Sequence, residues 1–224
     1  MYASELEWRA VDSYFAGSLV PEDEALAAAR ASGRQTTMPN AEVAPNQGKF
    51  LALLCQMTGA AHVLEFGTLA GYSTIWLARA AGPQGHVTTL ELEEQNAAIA
   101  RANLQRAGVA QLVDVMVGPA GDLAHKLIAD DVSPYDFVFI DADKPNNPAY
   151  LEASLALTHA GSVIVIDNVV RDGAVTDPSS PDARVQGVRA VVEDIARDAR
   201  LEATALQTVG VKGWDGFTII RRRS

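Results

Sequence analysis

The sequence contains one cysteine, Cys55, and no run of 18 apolar residues. A lone cysteine cannot form an internal disulfide, and its place in the apolar stretch 50–57 predicts a small core residue. A chain without disulfides is typical of a reducing cytoplasm, which is where we expect it. We expect no membrane span, because no apolar run is long enough. Residues 1–5 have no basic region ahead of an apolar stretch, so we expect no signal peptide.

Basic residues are also scarce. The chain has 18 lysines and arginines against 28 aspartates and glutamates, which gives a net charge of −10. A negative surface repels polyanions, so we expect no nucleic-acid partner. The four histidines are far apart and lack the spacing of a histidine metal site. They are His62, His86, His125 and His159.

The N-terminal part of the chain has a helical hydrophobic pattern. A first helix is predicted over 4–18, with Ser4 and Glu7 as a capping box. A second helix is predicted to begin at Pro21 and to end at Gly33. Asn46 is a candidate cap for a third helix that runs through Met57.

From about residue 61, strands and helices alternate. Strands are predicted near 62–66, 86–91, 112–117, 136–141 and 162–167. Helices are predicted between them, at about 73–81, 94–107, 120–129 and 147–158. A helix at about 183–199 and two β-like runs, at 201–209 and 216–221, complete the chain. The strands are continuous apolar runs, which are typical of a parallel sheet covered by helices on both faces.

The length of 224 residues favours a single domain. We therefore predict one domain over 1–224. Residues 1–58 would be an N-terminal helical appendage to a core formed by 59–224.

Residues 63–73 predict a ligand-binding turn. A short strand leads through Gly67 and Gly71 into a helix that begins near Ser73, which is where open α/β sheets bind nucleotide-like ligands. Glu91 ends the next strand and is placed to accept hydrogen bonds from both ribose hydroxyls. The glycine spacing is not the G-x-G-x-x-G of dinucleotide sites, which disfavours a nicotinamide-dependent oxidoreductase. S-adenosylmethionine, a nucleoside without a pyrophosphate, fits this turn, with Glu65 near its positive end; an ordinary βα turn is the alternative.

Oxygen-bearing side chains end two neighbouring strands of the predicted sheet. Asp141 ends the fourth strand, and Asp167 and Asn168 end the fifth. Because parallel strands share one carboxyl edge, these residues should converge there. Two carboxylates and an amide oxygen form a hard-cation site, for Mg²⁺ first and also for Ca²⁺ or Mn²⁺. The alternative is that they merely end strands and cap helices.

Lys144 follows Asp141 by three residues. A lysine beside a divalent cation has its ammonium form disfavoured, which would suit a general base. A surface lysine paired with Asp141 or Asp143 is the alternative interpretation.

Three motifs stand at the ends of the predicted strands. They are Glu65-Phe-Gly67-Thr-x-x-Gly71-Tyr72-Ser73, Asp141-Ala-Asp143-Lys144 and Asp167-Asn168. Together they resemble the cation-dependent, S-adenosylmethionine-dependent O-methyltransferases, that is, the caffeoyl-CoA and catechol O-methyltransferase-like proteins. The resemblance covers roughly residues 36–222. One departure is Asn146-Asn147, where many relatives have an Asn-Tyr pair, so the acceptor pocket is expected to differ.

The resemblance implies a Rossmann-like seven-stranded sheet with an antiparallel last strand, helices on both faces and extra N-terminal helices. It implies methylation of a small phenolic acceptor, a vicinal diphenol, by a homodimer. Asp141, Asp167 and Asn168 would hold the metal, and Lys144 would be catalytic. The implied cofactor-binding residues are Val43, Glu65, Gly67, Thr68, Ser73, Glu91, Ala120 and Asp143.

Three alternatives stand beside this interpretation. A dehydrogenase would need the missing dinucleotide spacing. An S-adenosylmethionine-binding protein of the same fold could act on a different acceptor or be non-catalytic, but a non-catalytic protein would have no reason to place Lys144 beside cation ligands. A nucleic-acid methyltransferase is disfavoured by the net charge.

The acidic N-terminal segment argues against a CoA-ester acceptor. Trp214 is a candidate for the border of the acceptor pocket.

Overall fold

The computed structural model describes residues 4–223, whose strands form one sheet. The strands are β1 (His62–Phe66), β2 (His86–Glu91), β3 (Val113–Val117), β4 (Tyr135–Ile140), β5 (Thr158–Asp167), β6 (Leu201–Gly210) and β7 (Gly213–Arg222). Their order across the sheet is β3-β2-β1-β4-β5-β7-β6. Strands β1 to β5 are parallel to one another, whereas β7 runs antiparallel to both β5 and β6. The predicted seven-stranded sheet with an antiparallel last strand is confirmed.

Helices cover both faces of this sheet. They are α1 (Glu5–Leu19), α2 (Glu24–Ser32), α3 (Pro45–Thr58), α4 (Tyr72–Ala81), α5 (Glu94–Arg106), α6 (Ala120–Ala129), α7 (Asn147–Ala156) and α8 (Ala183–Arg197). Alternate residues of the central strands feed two separate cores. Val63 and Phe139 belong to the core under α3 and α4, while Leu64 and Ile140 belong to the core under α7 and α8. Both faces of the strands are therefore buried, which explains their unbroken apolar runs.

Two predicted helix starts are wrong, and both have a capping reason. The second helix begins at Glu24 and not at Pro21, because the Asp23 side chain accepts a 2.9 Å hydrogen bond from the Leu26 N–H and caps the helix there. The third helix begins at Pro45, which occupies its first turn, and Asn46 does not cap it. Asn46 instead donates to Asp12 of α1. The predicted Ser4–Glu7 capping box of α1 is present.

Helix α1 presents a row of large apolar side chains to solvent. They are Leu6, Val11, Tyr14, Phe15 and Leu19. Over residues 4–223, none of the helices combines the length and hydrophobicity that crossing a membrane requires.

Candidate functional site

A cavity of about 810 Å³ lies at the carboxyl edge of strands β1 to β5. Residues that follow each of these strands contribute to its wall, together with residues 37–43 ahead of α3. This is the edge at which open parallel sheets bind their ligands. Ten of the residues singled out by sequence line this one cavity. They are Val43, Gly67, Thr68, Ser73, Glu91, Ala120, Asp141, Asp143, Lys144 and Asn168.

The glycine turn after β1 packs directly against the end of β4. Gly67 has a φ of +95° and its N–H donates a 2.9 Å hydrogen bond to the Leu90 carbonyl. A Cβ at this position would lie 2.5 Å from the Asp141 carbonyl oxygen. Gly67 therefore has two reasons to be glycine, its backbone conformation and the closeness of the neighbouring chain. Because the two segments approach so closely, Asp141 lies against the turn.

Glu65 lies beneath this turn and outside the cavity wall. Its carboxylate is fully buried and accepts hydrogen bonds from the hydroxyls of Ser73 (2.6 Å), Thr74 (2.5 Å) and Thr89 (2.7 Å). Burial raises the pKa of Glu65 to about 7, although the three hydroxyls oppose that shift. Glu65 thus ties β1 to β2 and to the first turn of α4. Its predicted contact with the cofactor stays a prediction.

Glu91 lines the cavity and organises two segments of its wall. One carboxylate oxygen accepts from the backbone N–H groups of Leu69 (2.8 Å) and Thr68 (3.3 Å). The other accepts from the N–H of Glu93 and from the side-chain amide of Asn96, both at 3.0 Å. The same carboxylate that is predicted to bind the ribose therefore also holds the glycine turn and the start of α5. The sequence pattern did not reveal this second role.

Asp141 and Asp167 are brought together by strand register. Ile140 of β4 pairs with Ile166 of β5, so the residues that follow them are neighbours across the two strands. Asp167 is 4% exposed, and burial raises its pKa to about 7, with a further contribution from the charge of Asp141. Asn168 follows with a φ of +57° and lines the cavity, whereas Asp167 lies just outside the wall.

These three residues fit a hard cation. Two adjacent carboxylates repel each other, and one of them is buried, so a bound cation would favour the ionised form of both. Carboxylate and amide oxygens are also the ligand types that Mg²⁺ and Ca²⁺ take. Within residues 4–223, no cluster of three or more histidine, cysteine or acidic side chains suited to a metal is present. The candidate set therefore depends on the Asn168 amide as its third ligand.

Lys144 is buried beside this set. It begins the 3₁₀ turn Lys144–Asn146, is 7% exposed, and places Nζ 2.7 Å from Asp141 Oδ1. Helix α8 supports it from outside. A Cβ at Gly187 would lie 2.1 Å from the Lys144 carbonyl oxygen, so only a glycine allows α8 to approach this turn so closely.

Asp143 faces the cavity and is held by two neighbours. The Tyr150 hydroxyl donates to Asp143 Oδ1 at 2.5 Å, and the Asn146 amide donates to Oδ2 at 2.6 Å. Burial and the Asp143 charge raise the pKa of Tyr150, so its hydroxyl keeps the proton that it donates. Of the unusual Asn146-Asn147 pair, Asn146 lines the cavity and Asn147 is buried outside it.

Other candidates lie away from the cavity wall. Trp214 does not line the wall; it packs on Gly173 and donates to the Gln207 side chain at 2.9 Å. His86 and His159 lie 3.0 Å from Asp114 and 2.9 Å from Asp136, respectively, outside the wall. Sequence reasoning missed two arginines of the wall, Arg171 and Arg184. The only signal in the sequence is their position: Arg171 lies three residues after Asn168, and Arg184 is the second residue of α8.

Comparison with known proteins gives consistent matches. A family model described as O-methyltransferase matches residues 17–223. A catechol O-methyltransferase of Mycobacterium tuberculosis is 50% identical over 209 residues, which cover 93% of each chain. A catechol O-methyltransferase of Niastella koreensis is 44% identical over 212 residues, which cover 95% of this chain and 96% of the relative.

Similar solved structures also come from O-methyltransferases. An O-methyltransferase from Streptomyces achromogenes involved in tomaymycin synthesis, solved in complex with SAM, has a TM-score of 0.96 at 46% identity and full coverage (100%) of both chains. An O-methyltransferase from Bacillus cereus in complex with SAH has a TM-score of 0.96 at 48% identity, covering 98% of this chain and 100% of the other. These matches confirm the resemblance drawn from the three motifs.

Proposed function

Because the chain belongs to the O-methyltransferase family, we propose that it transfers the methyl group of S-adenosylmethionine to one hydroxyl of a small vicinal diphenol with the help of a divalent cation. The names and ligands of the relatives support the donor and the diphenol class. The nicotinamide-dependent alternative has no comparable support.

One arrangement carries this proposal. The turn at Gly67 and the oxygen ligands Asp141 and Asn168 line a single cavity, and Lys144 lines it as well. A methyl donor at the turn and a diphenol at the ligands would therefore share one enclosed space. Holding two reactants in such a geometry supplies much of the rate acceleration in group transfer.

The cation would be held by Asp141, Asp167 and Asn168. Three protein ligands leave positions that two vicinal oxygens of an acceptor can fill. When bound, a divalent cation lowers the pKa of the hydroxyl that it coordinates and orients both oxygens. The Asp167 carboxylate, buried beside Asp141, accepts a 2.8 Å hydrogen bond from the neighbouring Asn168 N–H, and a carboxylate has further lone pairs that can bind a cation.

Lys144 would receive the proton of the reacting hydroxyl at Nζ. Its 2.7 Å contact places Nζ beside the carboxylate that also belongs to the cation set. A cation at Asp141 would compete with Lys144 for that carboxylate and leave the amine free for the acceptor. Removal of the proton creates a phenolate, which takes the methyl group from the sulfonium of the donor and leaves S-adenosylhomocysteine. Its burial keeps Lys144 away from bulk water, which limits competing proton exchange.

The deciding experiment uses catechol and phenol as a matched pair of acceptors, with mass spectrometry of the products. In the presence of S-adenosylmethionine and Mg²⁺, catechol should gain one methyl group, whereas phenol, which lacks the second oxygen, should not. EDTA should abolish turnover and added Mg²⁺ should restore it. Asn168→Ala should reduce the Mg²⁺-dependent rate. Undiminished turnover by metal-stripped protein would overturn the role of the cation, and failure to methylate any vicinal diphenol would overturn the acceptor class.

The proposed assembly is a homodimer that uses the apolar row on α1. Large apolar side chains on one helix are normally covered by another surface, and a contiguous exposed patch marks an interaction site. Leu6 and Tyr14 are 79% and 69% exposed, respectively, in the single chain. A second copy of the chain is the partner that we propose for this row.

A further inference from the structure

Charge is distributed unevenly around the cavity. Sheet order places the segments after β2 and β3 on one side of β1, and the segments after β4 and β5 on the other. On the first side, the charged residues of the wall are Glu91, Glu93 and Asp122. On the second side stand all three basic residues of the wall, Lys144, Arg171 and Arg184, together with Asp141 and Asp143.

Within residues 4–223, Arg171 makes a long ion pair and leaves one buried donor without a hydrogen bond. Its side chain is 22% exposed, and its Nε is buried and makes no hydrogen bond within residues 4–223. The nearest carboxylate in an ion pair with it is Asp215, whose Oδ2 lies 3.9 Å from Nη1. Asp215 uses its other oxygen to accept from the backbone N–H groups of Val170, Arg171 and Gly216 at 3.0–3.1 Å. A partly buried guanidinium with an unused donor is costly unless a ligand satisfies it.

Arg171 is also close in sequence to the cation ligands. It lies three residues after Asn168, and its φ is +56°. This left-handed backbone conformation is uncommon for an arginine, and it turns the chain at Arg171 where an extended conformation would continue it. The side chain lines the same cavity as Asn168.

Arg184 stands nearby but is already paired. It lies in the first turn of α8, on the same face as Gly187, which packs on the backbone of Lys144 and Pro145. Its guanidinium is bound by the Asp182 carboxylate through contacts of 2.6 Å and 3.0 Å. Of the two arginines in the wall, Arg171 therefore has the greater unused capacity to bind a ligand.

We propose that Arg171 binds a carboxylate carried by the acceptor, so that the protein prefers catechol carboxylates to neutral catechols. This inference rests on the proposed function and specifies its acceptor. The planar guanidinium fork matches a carboxylate in shape and in charge. Asp141 and Asp143 would repel an anionic acceptor, and Arg171 supplies the compensating positive charge. Arg171 is thus a specificity-determining residue of the acceptor end.

The test compares kcat/KM for 3,4-dihydroxybenzoate and its neutral amide, which share the reacting catechol ring. The wild-type protein should favour the carboxylate by about tenfold to a hundredfold, which is the usual range for a hydrogen bond to a charged group. Arg171→Gln should lose most of that preference, because kcat/KM for the carboxylate should fall much further than kcat/KM for the amide. Arg171→Lys should keep part of it. Arg197→Gln is the matched control, since it removes one positive charge from an exposed position at the far end of α8.

Each result has one meaning. Equal kcat/KM for the two acceptors in the wild type, or a preference that survives in Arg171→Gln, overturns the inference, while methylation of the amide leaves the proposed function standing. Weaker S-adenosylhomocysteine binding by Arg171→Gln would assign the arginine to the donor and would also overturn it. Thermal unfolding of each variant shows whether it is folded. If Arg171→Gln is not folded, the kcat/KM values of Arg171→Lys for the two acceptors decide.

If neither acceptor is methylated, the proposed function fails and calorimetry decides the inference. Titration of 3,4-dihydroxybenzoate into the protein with S-adenosylhomocysteine and Mg²⁺ should then give binding that Arg171→Gln abolishes. Binding that does not depend on Arg171, or no binding, overturns the inference as well.

Discussion

Lys144 Nζ lies 2.7 Å from Asp141 Oδ1, and both residues follow β4 at the edge of the cavity. The two side chains are 8% and 20% exposed, respectively, so the pair is largely shielded from water. The proposed proton acceptor and a proposed cation ligand are thus in direct contact. Four predictions concern this contact, the glycine turn, the buried Glu65 and the proposed homodimer.

Replacement of Lys144 should separate catalysis from binding. Lys144→Met removes the proton acceptor and should lower kcat by roughly 10²–10⁴-fold, the range for general base catalysis. The affinity for S-adenosylhomocysteine, measured by calorimetry, should change little. Lys126→Met, on the exposed face of α6, makes the same charge change away from the cavity and should behave as wild type. A wild-type rate in Lys144→Met would mean that water accepts the proton, from a hydroxyl whose pKa a bound cation would lower.

Two glycines with positive φ provide a matched test of the turn. Gly59→Ala should cost about 1 kcal/mol of unfolding free energy for the strained φ of +67° alone, because nothing lies within 4 Å of the new Cβ. Gly67→Ala adds a clash 2.5 Å from the Asp141 carbonyl and should be clearly more destabilising. It should also weaken S-adenosylhomocysteine binding, which Gly59→Ala should preserve. Equal losses in urea unfolding for both variants would contradict the role given to the contact with Asp141.

Glu65 should make stability depend on pH. Burial raises its folded-state pKa from 4.5 to about 7. Between these values the folded state binds more protons than the unfolded state, so stability present below the unfolded pKa is lost as the pH rises through the folded pKa. Glu65→Gln cannot titrate. From about pH 5 to about pH 8, the wild type should therefore lose on the order of 2 kcal/mol more than the variant in urea unfolding. Parallel pH profiles would show that Glu65 does not titrate in this window.

The proposed homodimer should depend on the apolar row of α1. Tyr14→Glu places a charge in the row and should convert the dimer to a monomer in sedimentation velocity. Gln105→Glu adds the same charge to an exposed position on α5, outside the row, and should leave the dimer intact. A wild-type protein that sediments as a monomer at micromolar concentration would contradict the proposal.

Much of the fold was predictable because buried strands leave a clear pattern. The runs that became β1 and β2 have the predicted bounds, 62–66 and 86–91. The start of β5 was placed about four residues too late. Residues 159–161 of this strand are exposed, and its pairing with β4 is irregular between Tyr135 and Phe137, so no run of large apolar residues marks its start.

The site was predictable where function depends on residue type at a strand end. Asp141 and Lys144 were identified in this way, because parallel strands share one ligand-binding edge. Arg171 was not, because its proposed role depends on burial and on an Nε that makes no hydrogen bond within residues 4–223, which only three-dimensional structure reveals. The network that occupies Glu91 was hidden for the same reason, since its donors come from two separate segments of the chain, the glycine turn and the start of α5.

The close approach of Gly187 to the Lys144 carbonyl limits how this enzyme can change. A larger residue at 187 would push α8 outward and drag the proton acceptor with it, since the ideal Cβ lies only 2.1 Å from that oxygen. Enlarging the acceptor end by sliding the helix would therefore damage turnover.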